Sequence, residues 1–147
     1  EIGSGLVGSE MCIRDSVYVA SVNIGYNKEQ YLKAIKEASL HNGPSLIIAY
    51  SPCIEHGIKT GMQHSQSNGY LATKCGYFLT FRYNPDTKKF SLDSKEPEFD
   101  KYEDYLMTEN RFASLVRKDK ERARLLLEEQ KQWAIDRYNY YKKISEE

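Results

Sequence analysis

Hydrophobic and polar positions along the first third of the chain predict a strand, a helix and a second strand. Residues 17–22 (VYVASV) are rich in β-branched and aromatic side chains, a composition typical of strands. Residues 45–50 (SLIIAY) are almost entirely apolar, as expected for a strand that is buried on both faces. With a helix between them, they predict a βαβ unit with parallel strands and a right-handed crossover.

The helix of this unit carries its own start and stop signals. Asn27 stands at an N-cap position, and Gln30 follows three residues later, as in a capping box. Residues 42–44 (NGP) end the helix. Four apolar positions predict the face that is buried, and they are Tyr31, Leu32, Ile35 and Ala38.

Loops and short elements are predicted for the middle of the chain. Residues 51–63 predict a loop just past the carboxyl end of a buried strand, which is where ligands bind in open α/β sheets. Residues 65–74 predict a short helix, and residues 77–83 predict a third strand. A turn at residues 84–86 then leads to a short edge strand at residues 90–92.

From residue 99 onward the pattern is helical and ends in one long helix with a densely charged outer face. Its predicted buried stripe consists of Ala123, Leu126, Gln130, Trp133, Arg137, Tyr141 and Ile144. This helix has no partner of its own length, and the predicted sheet has an open edge before residue 17. We therefore expect more protein to precede residue 17 in the natural chain.

These elements describe an α/β protein with an incomplete βαβ parallel-sheet unit over residues 17–93. A helical C-terminal segment follows over residues 94–147. Residues 1–16 (EIGSGLVGSEMCIRDS) are different, because small residues are frequent and the apolar residues follow no helical or strand periodicity. They are similar to translated library-adapter sequence, so we expect a non-native, disordered leader, with a natural linker as the alternative.

Charge and cysteine content narrow the functional classes. Lysine plus arginine and aspartate plus glutamate both number 21, so nothing favours binding to nucleic acid or to an anionic membrane. No apolar run is long enough for a membrane span. Three cysteines form an odd set, which disfavours a disulfide framework and predicts a reducing compartment such as the cytoplasm.

Cys53 is the strongest candidate for a chemical role. It lies in the run Ser-Pro-Cys-Ile-Glu-His-Gly, three residues after a predicted strand. A thiolate at such a place is a suitable ligand for iron, since cysteine is the usual ligand of iron–sulfur clusters. The alternative is a buried cysteine that acts as a small apolar side chain, and position alone favours that alternative.

Other arrangements are weaker. His56, His64 and Cys75 would complete a zinc site with Cys53, although their spacing matches no paired zinc motif. Cys53 and His56 would also form a nucleophilic pair if they faced each other. The acidic residues between positions 96 and 104 lack the spacing of a calcium loop and predict a solvated face. No glycine-rich phosphate loop is present in the sequence.

Several segments, taken in order, resemble one enzyme family. They are residues 17–22 with 25–28 (GYNK), 43–53 (GPSLIIAYSPC) with 56–58 (HGI), 76–77 with 81–85 (FRYNP), 92–97 (LDSKEP), 105–107 and 110–112. In this order they resemble the last part of the thiamine-diphosphate-binding region of pyruvate:ferredoxin (flavodoxin) oxidoreductases. The resemblance covers residues 17–147.

The resemblance implies a role for Cys53 as a ligand of the iron–sulfur cluster nearest the thiamine. It also implies that the parent enzyme oxidatively decarboxylates pyruvate to acetyl-CoA and passes electrons through [4Fe–4S] clusters to ferredoxin or flavodoxin. Thiamine diphosphate and magnesium are the further cofactors implied, coenzyme A is a substrate, and the enzyme is expected to be a cytoplasmic homodimer.

Essential parts of that family's site lie upstream and have no counterpart in this sequence. They are the acidic magnesium motif, the Asn-Thr-Gly-Gly turn and the other three cysteines of the cluster. We therefore expect the chain alone to be inactive, with the upstream part of the parent enzyme as its partner. The alternative function is a stand-alone α/β binding or interaction module with no redox role, for which 12 tyrosines would suit an interface.

Overall fold

The computed structural model describes residues 16–146, which form a four-stranded sheet and five α-helices. The strands are β1 (Tyr18–Val22), β2 (Ser45–Ala49), β3 (Phe81–Asn84) and β4 (Lys89–Leu92). The helices are α1 (Lys28–Leu40), α2 (Ser65–Lys74), α3 (Tyr102–Thr108), α4 (Asn110–Lys118) and α5 (Lys120–Glu146). Apart from Ser16, the predicted leader lies outside the described residues.

The order of the strands is β2-β1-β3-β4, and the α/β class is confirmed. β1 and β2 pair in parallel, with Tyr18 opposite Ser45, as the βαβ prediction requires. β3 and β4 extend the sheet with antiparallel pairs. β3 begins later than predicted, because Tyr77 and Phe78 pack among the helices instead of pairing with β1. The division of the chain at residues 93 and 94 stays a prediction.

β2 lies at the edge of the sheet, and two expectations are corrected by this position. The prediction that β2 is buried on both faces is wrong, since Leu46 and Ile48 are 45% and 44% exposed. Among the described strands β2 pairs only with β1, so one of its edges is uncovered. The expected open edge before residue 17 is also wrong, because β1 lies between β2 and β3.

Helix α1 begins where the sequence predicts, and its predicted buried face is partly right: Tyr31 and Ala38 pack against the core, whereas Ile35 is exposed. The Asn27 side chain accepts a hydrogen bond from the Gln30 amide at 3.0 Å, which confirms the N-cap. The Gln30 side chain does not close the capping box; it donates to the Ser21 carbonyl and the Asp93 carboxylate instead. α1 is turned so that Gln30 and Ala34 face the sheet, which leaves Leu32 exposed.

The helices bury an aromatic core, and α5 covers one side of it. A cluster of Ala72, Cys75, Tyr102, Tyr105, Leu106 and Ala134 joins α2, α3 and α5. The predicted stripe of α5 is only partly right, because Ala123 is buried while Trp133 is 70% exposed. The buried positions further along are Ala134 and Tyr138, each one residue beyond a predicted one, Trp133 and Arg137. No helix within residues 16–146 has the length and hydropathy of a membrane span.

Arg82 on β3 ties the sheet to α1 through a largely buried ionic network. Its guanidinium donates to both carboxylate oxygens of Glu37, at 2.7 and 2.9 Å, and to both oxygens of Asp93, at 2.8 Å each. The Tyr18 hydroxyl also donates to Glu37, at 2.8 Å. Hydrogen bonds to Asp93 and then to Glu37 raise the pKa of Arg82. The bidentate pair with Asp93 and the bifurcated contact of Nη1 with Glu37 together fix the orientation of the guanidinium.

We predict that Arg82→Met lowers the free energy of unfolding by about 2–3 kcal/mol, since the two carboxylates lose their common partner in a largely buried place. Urea denaturation monitored by circular dichroism measures the change. Arg124→Met is the matched control, because Arg124 is 73% exposed in its ion pair with Glu128 and such pairs contribute less than about 1 kcal/mol. Equal effects of the two substitutions would contradict this prediction.

Candidate functional site

The segment that carries Cys53, residues 51–61, is named here the Cys53 loop, and it follows the carboxyl end of β2. Main-chain contacts attach it to the junction between α3 and α4. Ile58 forms a β-bridge with Glu109, and the Lys59 amide donates to the Thr108 carbonyl at 2.8 Å. Gly57 has a φ of +69°, a left-handed conformation that glycine adopts without strain. The loop therefore has a defined path although most of its side chains are exposed.

Cys53 and His56 face each other across a tight turn within this loop. Cys53 Sγ lies 3.1 Å from His56 Nδ1, and the Gly57 amide donates to the Cys53 carbonyl at 2.9 Å. The His56 side chain, followed by the main-chain amide of His56, lowers the pKa of the Cys53 thiol. The amide of Glu55 acts in the same direction. Side-chain and main-chain donors thus converge on one sulfur atom, which is only partly buried.

This environment favours the thiolate, which is the form of cysteine that binds metals and attacks electrophiles. The buried-cysteine alternative does not apply to Cys53, since the residue is only partly buried and its sulfur lies beside His56. The proximity of His56 is compatible with either a metal-ligand role or a nucleophilic role for the thiolate.

Cys75 has the opposite environment. It is 1% exposed in the helical core, and its Sγ donates to the Ala72 carbonyl at 3.4 Å. Burial raises the pKa of this thiol to about 11. Within residues 16–146, no three histidine, cysteine or acidic side chains are arranged to hold a metal ion, so the four-residue zinc hypothesis has no ligand set.

The acidic residues near position 100 lie on an exposed surface, as predicted. Glu98 pairs with Lys101 and with Lys74, the latter at 3.1 Å. These two lysines, Lys101 first, lower the pKa of Glu98. The pairs hold the segment after β4 against the end of α2 and bring no further candidate ligand to the Cys53 loop.

A buried polar network that the sequence analysis missed fixes the start of the Cys53 loop. Glu109 is 3% exposed and accepts from the hydroxyls of Tyr105, at 2.8 Å, and Tyr50, at 3.3 Å. Arg111 Nε donates to Glu109 at 2.6 Å, and Arg111 Nη2 donates to the Tyr77 hydroxyl at 3.1 Å. Burial raises the pKa values of Tyr50 and Tyr105, so both hydroxyls keep their protons. Because Tyr50 directly precedes the loop, this network positions its first residues.

The turn after β1 is held by a second buried side chain that the sequence analysis left unassigned. Asn23 Nδ2 donates to the Gly69 carbonyl at 2.7 Å and to Thr73 Oγ1 at 2.8 Å. A Cβ at position 69 would lie 2.9 Å from Asn23 Oδ1, so α2 approaches this closely only with glycine there. The signal in the sequence is a polar residue directly after a strand, with glycine inside a helix.

We predict that the two thiols differ in reactivity in a chain that carries Cys12→Ser. Ellman's reagent at pH 7 should label Cys53 rapidly and Cys75 only after unfolding in urea, because one sulfur is accessible and the other buried. Adding His56→Leu should slow the labelling of Cys53 about threefold, since the thiolate loses its principal stabilising partner. His64→Leu is the control, and an equal loss of rate in it would argue against the pairing of Cys53 with His56.

We predict that Glu109→Ala lowers the free energy of unfolding by about 2–4 kcal/mol, because the buried hydroxyls and Arg111 lose their common acceptor. Chemical denaturation provides the measurement. Glu128→Ala is the control, since that carboxylate is 67% exposed. A change below about 1 kcal/mol for Glu109→Ala would mean that the network does not stabilise the fold.

Known proteins whose sequences are similar to this chain are enzymes that are named for the oxidation of pyruvate. No protein-family model matches the chain. A pyruvate-flavodoxin oxidoreductase of Enterobacter agglomerans is 42% identical over 134 residues, which cover 88% of this chain and 11% of that protein. A pyruvate:ferredoxin oxidoreductase of Moorella thermoacetica is 42% identical over 135 residues, covering 88% and 11%. A pyruvate dehydrogenase [NADP(+)] of Cryptosporidium parvum is 38% identical over 154 residues, covering 95% and 8%.

The matches extend over nearly the whole chain and over a small part of each relative. The chain spans about a tenth of the length of the relatives it matches. Identities near 40% over more than 130 residues confirm the resemblance that the ordered motifs indicate. The chain is therefore homologous to one segment of the pyruvate:ferredoxin and pyruvate-flavodoxin oxidoreductases.

Proposed function

We propose that this chain forms part of a 2-oxoacid oxidoreductase in which Cys53 is a ligand of an iron–sulfur cluster. The names of the relatives support pyruvate as the substrate of the parent enzyme and ferredoxin or flavodoxin as its electron acceptor. Among the described residues, the single observation that carries the proposal is the sulfur of Cys53, only partly buried and 3.1 Å from His56 Nδ1.

The environment of Cys53 fits the chemistry of a cluster ligand. Iron–sulfur clusters are held by thiolates, and hydrogen bonds to the ligand sulfur adjust their potentials. The donors from His56 and from the main chain stabilise negative charge on the sulfur, which a metal-bound thiolate carries. Since Cys75 is buried elsewhere, Cys53 is the one cysteine ligand that residues 16–146 offer, and we propose that the remaining ligands come from other parts of the parent enzyme.

The parent enzyme is proposed to oxidise pyruvate to acetyl-CoA in the cytoplasm, as a homodimer with thiamine diphosphate and magnesium. Thiamine diphosphate supplies the electron sink for decarboxylation when it is bound. The present sequence has no glycine-rich phosphate loop, so the anchoring of that cofactor belongs to other segments. For the same reason the chain alone is expected to have no turnover.

Exposed apolar side chains support a place inside a larger protein. Leu46 and Ile48 on the uncovered edge strand, and Leu32 on α1, each expose more than two fifths of their surface. The uncovered edge of β2 also presents main-chain groups that another strand would satisfy. We propose that the rest of the parent enzyme covers this region, whereas a stand-alone binding module would leave it exposed to water.

We predict that Cys53→Ala in the full-length parent enzyme removes one [4Fe–4S] cluster, seen as about four fewer iron atoms per protomer. Iron analysis and electron paramagnetic resonance of the reduced protein measure the loss. Cys75→Ala is the matched control and should keep its full iron content, because that thiol packs in the core. An unchanged iron content and spectrum in the Cys53→Ala enzyme would rule out the proposed ligand.

A further inference from the structure

His56 lies within hydrogen-bonding distance of the sulfur that the proposed function assigns to the cluster. Its Nδ1 atom is 3.1 Å from Cys53 Sγ. A metal-bound thiolate carries no proton, so only the imidazole can donate in this pair. Nδ1 must then hold the hydrogen, which leaves Nε2 directed away from the sulfur.

The position of His56 is fixed through its main chain. Asn110, the first residue of α4, donates from Nδ2 to the His56 carbonyl at 2.9 Å. The Asn110 amide donates in turn to the Gly57 carbonyl at 3.4 Å. The hydrogen bond from the Gly57 amide to the Cys53 carbonyl closes the turn that places the ring beside the sulfur. The contact between imidazole and sulfur therefore follows from the fold of the loop.

We infer that His56 is a positioning residue that donates a hydrogen bond to the cluster-bound sulfur of Cys53 and raises the reduction potential of that cluster. This inference rests on the proposed function of Cys53. Reduction adds one negative charge to the cluster and its ligands, so a donor at the sulfur stabilises the reduced form more than the oxidised form. His56 thereby makes the cluster a better electron acceptor.

The test uses the full-length parent enzyme with its clusters intact and compares three variants with the unsubstituted protein. His56→Leu removes the donor, His56→Gln keeps an N–H group on a side chain of similar length, and His64→Leu is the control. His64 lies in the same connection between β2 and α2 and is exposed, whereas the side-chain partner of Cys53 among the described residues is His56. Redox titration monitored by electron paramagnetic resonance gives the midpoint potential, and iron analysis gives the cluster content.

We expect His56→Leu to keep its iron but to lower the ratio of reduced to oxidised cluster, at a fixed potential, about threefold to tenfold. A tenfold change corresponds to about 59 mV for a one-electron couple. His56→Gln should recover part of this change, and His64→Leu should match the unsubstituted enzyme. If His56 only supported folding, the midpoint potential would not recover when glutamine restores an N–H group at this position.

Three outcomes would overturn the inference. An unchanged midpoint potential in His56→Leu would mean that the hydrogen bond has no influence on the cluster. Loss of iron from His56→Leu would make His56 a ligand instead of a donor. An equal shift in His64→Leu would indicate a general effect of the loop. The Cys53→Ala enzyme separates the two proposals. If it retains its cluster, the proposed function is wrong. If it loses the cluster but His56→Leu has no effect on the potential, only the inference about His56 is wrong.

Discussion

The attachment of the Cys53 loop to the junction between α3 and α4 is the constraint on which the candidate site depends. This loop has little apolar surface of its own to bury. Its path is set by the bridge between Ile58 and Glu109 and by the buried carboxylate of the same glutamate. One residue thus contributes both a main-chain strand contact and the acceptor for two tyrosine hydroxyls. The β-bridge to the loop and the buried polar network are therefore joined through Glu109.

The sequence predicts those features that are encoded by neighbouring residues. The N-cap at Asn27, the helix over residues 65–74 and the parallel pairing of β1 with β2 all follow from local patterns, and each is confirmed. Cys53 is singled out by its motif together with the family resemblance, and its role as a ligand stays a prediction. The sequence does not show that Cys53 faces His56, because two residues that are three positions apart in a loop are compatible with many backbone paths.

Features that depend on distant parts of the chain are predicted poorly. An apolar run such as SLIIA indicates burial, but the sequence does not state which elements cover it, and β2 is an edge strand among the described residues. Trp133 fits a helical stripe equally well, yet α5 is rotated so that Ala134 faces the core. The Glu109 network combines residues from three separate segments, so no spacing rule identifies it. These misses share one cause, which is tertiary packing that local periodicity does not encode.

The Cys53 loop is held mainly by hydrogen bonds between main-chain atoms, and this has a consequence for how the segment tolerates sequence change. Replacing the side chain of Lys59 or Thr108 leaves the amide and carbonyl that join them in place. The sulfur can therefore keep its location while the surrounding surface diverges. The geometry then depends on the residue types at a few positions, chiefly Gly57 with its left-handed backbone and Asn110 with its bond to the loop. The rest of the loop surface remains available for adaptation to whichever protein surface it faces.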